Sequence, residues 1–346
     1  MATATTRTTK RGVRTAKRNV RTSNARAKTS ARRSRVENTN DDDADENEER
    51  KGMFSITRGT RKTDPYLKIL IYGEYGAGKT TLAASAVDVP SMRDVLFVNS
   101  ERGTVSIDKA VNEDGHAIIE HTDDIDFMTI ASYPEFAKVH KFLLSHCRAR
   151  DDGDDELTDD INERMFGSSA KGRRYKTVIV DSLSDIDNSN FNRLLGVNTA
   201  DLMRDPQKAE WNDYQRNATA MTSILSEFRK LPMNVIMVAP SEVREEKQKR
   251  VSSTYPVLVG SSREKVKGYF DIVGYLEEID PTVEDNDDDD VGRRKKRKSK
   301  KLEFHKIERR LWLRKRDGVY AKSRITPDNL PFLDNVTLSD LYKYAV

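Results

Sequence analysis

Lys79 and Thr80 close the stretch Gly73-Glu74-Tyr75-Gly76-Ala77-Gly78, and the spacing fits G-x-x-x-x-G-K-[ST] at every fixed position. This combination of residue types is suited to phosphate chemistry. Gly73, Gly76 and Gly78 let the backbone turn where a side chain would obstruct it, so successive N–H groups point inward at an anion. Lys79 brings a point charge to the β- and γ-phosphates. Thr80 offers a hydroxyl to Mg²⁺, with Glu74, Tyr75, Ala77 and Thr81 completing the contact stretch. A lone glycine-rich turn is weak evidence, but this one carries the Lys-Thr pair and flanking elements of the right kind. The expected ligand is a nucleoside triphosphate, ATP, with Mg²⁺.

Those residues need a strand before them and a helix after them. Leu67–Tyr72 is a short apolar run suited to a buried strand, and Lys79–Val87 predicts a helix stopped near Pro90. Such a helix points its positive end at the bound anion. Tyr175-Lys-Thr-Val-Ile-Val-Asp181-Ser182 is a second apolar strand closing on a carboxylate, which makes Asp181 the second Mg²⁺ anchor. A third strand, Val95–Asn99, runs into Ser100-Glu101. A carboxylate just past a strand end in a parallel α/β sheet lies on the ligand-binding edge, so Glu101 is the candidate to orient and deprotonate water.

The remaining elements follow from pattern. Ala117–His121 predicts a short strand. Ser132-x-x-Glu135 predicts a capping box, opening a helix that buries Phe136, Val139, Leu143 and Cys147. His140, His146 and Cys147 on that helix invite a metal reading, against which Cys147 belongs to the apolar stripe and no fourth ligand has the right spacing. Asp151–Asp160 reads as an exposed acidic insertion. Gln207–Leu231 predicts a long helix with Trp211, Tyr214, Met221, Leu225 and Phe228 on one core-facing side. Asn234–Ala239 is another buried strand, with Ser241 and Glu242 just beyond it. Asp280–Lys301 is low-complexity and separates the strand-like runs Phe270–Leu276 and Leu311–Leu313, so it reads as a hairpin tip. Its basic run, Arg293–Lys301, suits a phosphate-backbone contact, a nuclear localisation signal or plain solvated surface.

The single cysteine rules out an intramolecular disulfide and fits a reducing compartment, and no apolar run approaches a membrane span. The formal charge of +4 is unevenly spread, because residues 1–50 hold 13 Lys/Arg and 8 Asp/Glu. Residues 1–36 carry 12 Lys/Arg and no acid, with nothing to pack a core. They suit a disordered solvated tail, a nonspecific nucleic-acid arm or a transit peptide. The acidic block Glu37–Glu49 then either competes with DNA for that arm or is a charged linker. The expected organisation is a tail over residues 1–52 and one folded domain over 53–346, with charged insertions near 151–170 and 280–301.

In this order, the glycine loop, the Asn99-Ser-Glu101 strand end, Val178-Ile-Val-Asp-Ser182 and the Asn234–Ala239 strand resemble the RecA-like ATPase core. The body from Tyr66 onward is similar to phage-encoded P-loop proteins described as AAA-family nucleotide-binding proteins, some of them single-strand annealing recombinases. The resemblance implies an α/β fold with a mainly parallel central sheet and a Walker A loop at Gly73–Thr80. It implies Asp181 as the Walker B carboxylate and Glu101 as the catalytic glutamate. It also implies that Lys322 and Arg324, two apart in the extended-looking Val319–Ile325, reach the γ-phosphate of an adjacent subunit. The implied activity is ATP hydrolysis, stimulated by DNA. The implied partners are single-stranded DNA and further copies in a ring or filament, and the implied location is the cytoplasm of a bacterial host. Two features depart from the family pattern: the charged tail with the 280–301 insertion, and Ser241-Glu242 where RecA has a glutamine sensor. The rival readings are a nucleotide-dependent binding or scaffold protein with little hydrolysis, and a small-molecule nucleotide kinase.

Overall fold

The computed structural model describes residues 66–100, 107, 117–197, 208–246, 251–279, 308–316 and 318–345. These lie in one compact unit, Arg61–Val346. The tail over 1–52, Glu101 and the hairpin tip at 280–301 lie outside the described residues.

The strands are β1 (Lys68–Gly73), β2 (Val95–Asn99), β3 (Ile125–Thr129), β4 (Thr177–Asp181) and β5 (Asn234–Glu246). They continue as β6 (Val251–Pro256), β7 (Ile272–Ile279), β8 (Glu308–Trp312), β9 (Lys322–Ser323) and β10 (Phe332–Asp334). The sheet runs β10-β8-β7-β1-β5-β4-β2-β3, with β6 paired to β5 and β9 to β7. From β7 through β3 every neighbour is parallel, while β8, β10, β6 and β9 add antiparallel margins. This is the expected α/β architecture with a mainly parallel central sheet.

Burial on both faces explains why the central strands read as continuous apolar runs rather than alternations. One face of β1, β2 and β4 sends Leu70, Tyr72, Leu96, Val98, Val178 and Val180 into a core shared with helices α2 (Tyr133–Asp151) and α5 (Trp211–Lys230). The opposite face sends Ile69, Ile71, Phe97, Ile179 and Ile236 against helix α1 (Lys79–Ala84) and the C-terminal helix Leu338–Tyr342. Lys68, an apparent misfit in β1, is buried because its ammonium donates to the carbonyls of Leu231 and Met233 past the end of α5. A buried cation is tolerated when such acceptors surround it.

Several expectations need correction. Ala117–His121 forms no strand, because the Asp88 carboxylate takes the backbone N–H groups of Glu120 and His121 at 3.1 Å each. The edge strand comes later, as β3. Ser132 makes no side-chain cap, and Glu135 instead accepts from Ala131 N at 2.7 Å. The apolar stripe of α2 is buried as expected. Asp151–Asp160 is exposed from Asp151 to Leu157, as expected, but it carries regular structure: Asp155–Phe166 forms helix α3, capped by Asp154 and packed through buried Thr158 and Asn162. Trp211 is 77% exposed, since it stands in the first turn of α5, ahead of the stretch that meets the core. Ser241 and Glu242 do not end a strand, because β5 runs on through them into a hairpin with β6.

Candidate functional site

Register brings the glycine loop, Asn99 and Asp181 to one edge. β5 lies between β1 and β4, and its partners include Gly73 through Pro240 and Asp181 through Val238. Asn99, the last residue of β2, sits opposite Asp181. The loop after β1, the end of β2 and the end of β4 therefore share the carboxyl edge, where open α/β sheets take their ligands.

Within the loop the three glycines have different tasks. Gly76 and Gly78 hold φ of 85° and 88°, the left-handed region that disfavours side chains. Gly73 has no such angle. A Cβ there would lie 2.0 Å from the Leu276 carbonyl oxygen of β7, so Gly73 is required by the neighbouring strand rather than by a turn. Lys79 is buried and donates from Nζ to Glu74 O at 2.6 Å, with the exposed Tyr75 ring centred 5.7 Å from the ammonium. Thr80 Oγ1 donates to Asp181 Oδ2 at 2.6 Å. This brings together the hydroxyl and carboxylate expected to anchor Mg²⁺, both hard oxygen donors of the kind that ion takes.

Asp181 is buried, and burial raises its carboxyl above the usual range; Asp185 adds to the rise, while the Thr80 hydrogen bond and the Lys79 charge oppose it. A cluster missed in the sequence fixes this strand end. Ser100 Oγ donates to Asp185 Oδ2 at 3.2 Å and accepts from Ser182 N at 2.8 Å, and Ser182 Oγ donates to Asp185 Oδ2 at 2.6 Å. The network ties the end of β2 to the start of helix α4 (Leu183–Leu194). Ser182-x-x-Asp185 opening a helix was its available signal. Glu101, the residue after Ser100, lies outside the described residues.

Lys322 and Arg324 are elsewhere. Lys322 pairs with Val273 and Ser323 with Ile272, while Arg324 Nη1 donates to Asp271 Oδ1 at 2.8 Å. Ile272 is level with Ile69, four residues before Gly73, so the pair sits at the amino edge, roughly 13 Å along the strands from the loop. They cannot serve their own phosphate loop. Partial burial, then the Arg324 charge, holds the Lys322 ammonium below its usual range. Of the residues raised for a metal, His146 Nδ1 pairs with Asn162 Oδ1 at 2.8 Å, Cys147 Sγ faces Met233 Sδ at 3.7 Å, and His140 packs on Phe228. Burial pushes the Cys147 thiol up to about 11 and His146 down to about 4. Among the described residues no helix is long and apolar enough to cross a membrane.

The glycine loop after β1, the Lys-Thr pair and the strand-end aspartate together define a P-loop α/β domain. Residues 66–325 match the model of the AAA domain, and the chain belongs to that family. Two solved structures show a looser likeness. The RadB recombinase matches at 14% identity and TM-score 0.35, over 78% of this chain and 86% of its own. The flagellar accessory protein FlaH from Methanocaldococcus jannaschii matches at 12% identity and TM-score 0.32, over 78% and 90%. Neither is similar enough to carry a functional argument. No curated protein matches the chain.

Proposed function

We propose that the protein binds ATP with Mg²⁺ at this loop and hydrolyses it, and that turnover serves work on single-stranded DNA in phage recombination, annealing or replication. The observation that carries the nucleotide reading is the hydrogen bond from Thr80 to Asp181 beside the Lys79 ammonium. Lys79 neutralises charge on the phosphate chain, and Thr80 and Asp181 hold Mg²⁺. The metal, when bound, adds Lewis-acid stabilisation of the phosphoryl oxygens. Glu101 orients the attacking water and takes its proton. Lys322 and Arg324 act on the loop of an adjacent copy in a ring or filament. The DNA reading is supported by the basic segment over residues 1–36, which gains by releasing phosphate counterions.

The test is the ATPase rate with and without single-stranded DNA, beside a sizing column with and without ATP. The reading expects DNA to raise turnover and ATP to enlarge the assembly. Slow turnover that Glu101→Gln leaves unchanged would favour a binding or scaffold protein. Phosphate transfer to a small-molecule acceptor would favour a kinase.

A further inference from the structure

Arg309 is the residue of β8 that lies against the phosphate loop. A Cβ built on Gly78 would stand 2.8 Å from Arg309 Nε, 2.9 Å from Cζ and 3.1 Å from Cδ. The guanidinium therefore rests on the α-carbon of the residue just before Lys79. Strand register explains how it gets there. Leu276 of β7 is level with both Gly73 and Leu311, and Arg309 is two residues beyond Leu311 toward the carboxyl edge. Alternation places Arg309 on the face of Leu311, which belongs to the core layer shared with α1. Arg310 takes the other face, where it pairs with Asp334 Oδ1 at 2.7 Å and lies over the Phe332 ring.

The Arg309 backbone is held at both polar atoms. Its N–H donates to Asn335 Oδ1 at 3.0 Å, and its carbonyl accepts from Asn335 N at 2.7 Å. Its side chain has no hydrogen bond or ion pair with any described residue, and it is only partly exposed. Other arginines in this part of the fold are engaged: Arg310 with Asp334, Arg314 with Asp328, Arg316 with Glu277 and Arg324 with Asp271. A half-buried guanidinium against a phosphate loop, fixed through its backbone and with no anionic partner among the described residues, can turn its five donors to a ligand anion.

We propose that Arg309 is a nucleotide-binding residue, a cation supplied in cis from β8 that binds phosphate oxygens of a nucleoside polyphosphate seated on the Gly73–Thr80 loop. It complements Lys79: Lys79 approaches from within the loop, and Arg309 from two strands away. The contact also gives Gly78 a second reason to be glycine, since any side chain there would displace the guanidinium. The inference rests on the nucleotide reading of the loop, and the experiment separates the two.

Titration calorimetry with Mg-ATP and Mg-ADP is run on the full chain and on Arg309→Ala, Arg309→Lys, Arg310→Ala and Lys79→Ala. Arg309→Ala should weaken both nucleotides by about ten- to a hundredfold, the range for a charge-assisted contact. Arg309→Lys should recover part of the loss, because the charge returns without the fork. Arg310→Ala should bind as wild type does, because that residue faces away. Thermal melts of each variant report whether the fold is retained. If Arg309→Ala binds both nucleotides normally while Lys79→Ala does not, the loop assignment stands and the Arg309 proposal is wrong. If the wild-type chain binds neither nucleotide, both fall.

Discussion

Thr80 Oγ1 and Asp181 Oδ2 are 2.6 Å apart, which ties the second residue of α1 to the last residue of β4 across the intervening β5. Two residues far apart in the chain thus present their oxygens at one point, beside a buried lysine. The contact gives separate expectations for three side chains. Lys79→Ala removes the loop's charge and should abolish turnover and weaken ATP binding by at least about tenfold. Thr80→Ala and Asp181→Ala should instead weaken the Mg²⁺-dependent part of binding and leave more of the metal-free affinity. Calorimetry with and without Mg²⁺ distinguishes them. Normal ATP binding by Lys79→Ala would refute the phosphate-loop assignment.

Gly73 and Gly76 should respond differently to the same substitution. At Gly73 an added methyl meets the Leu276 carbonyl of the adjoining strand at 2.0 Å, and neither backbone can yield without parting β1 from β7. Gly73→Ala should cost at least about 3 kcal/mol of stability. At Gly76 the added methyl meets nothing within 4 Å, and only the φ of 85° is unfavourable, a cost of about 1–2 kcal/mol. Urea unfolding of both variants checks the order. Equal losses would mean that turn geometry, not the neighbouring strand, dictates Gly73.

Asp187 predicts a pH dependence of stability. Its carboxylate is buried on α4, accepts from Asn217 Nδ2 at 2.6 Å and from Val259 N, and feels the Arg263 charge. Burial outweighs these three and raises its pKa to about 6. The folded state therefore holds a proton that the unfolded chain has released between about pH 4 and 6. Its contribution is fully present below about pH 4 and lost as pH rises through 6, with an upper bound of about 3 kcal/mol. Urea midpoints of Asp187→Asn across this window should lack that decline, whereas wild type should show it. Parallel curves would contradict the assignment.

What could be read from sequence was what local pattern encodes. The glycine loop needs its residues consecutive, and β1, β2 and β4 are apolar because both faces of the sheet are covered, so these features showed directly. The edge of the sheet was less legible. Asp88 diverts the backbone donors of Glu120 and His121, and that contact joins residues more than thirty positions apart. The acidic run at 151–160 read only as an exposed insertion, and its helix did not show, because its charges pair outward, with Arg174 meeting Asp155 and Asp159. Arg309 gave no signal, because its meaning comes from register. Two strands must align before a basic residue on β8 meets the loop after β1.

The amino-edge pair makes the last prediction. Arg324 is half exposed and bonded to Asp271, and Lys322 lies beside it on β9. Since both lie at the edge opposite their own phosphate loop, any role at a phosphate requires a second copy of the chain. A trans cation of this kind can contribute on the order of 10³-fold to the rate. Arg324→Ala and Lys79→Ala should then each be inactive alone. Mixed, they should build some interfaces in which an intact Lys79 loop meets an intact Arg324, and part of the activity should return. Asp271→Ala, which frees Arg324 from its partner in the same chain, should retain turnover if Arg324 acts across an interface. Normal turnover by Arg324→Ala alone would leave Arg324 as an edge-strand ion pair with Asp271. So would a mixture that assembles, as read on a sizing column, without regaining activity.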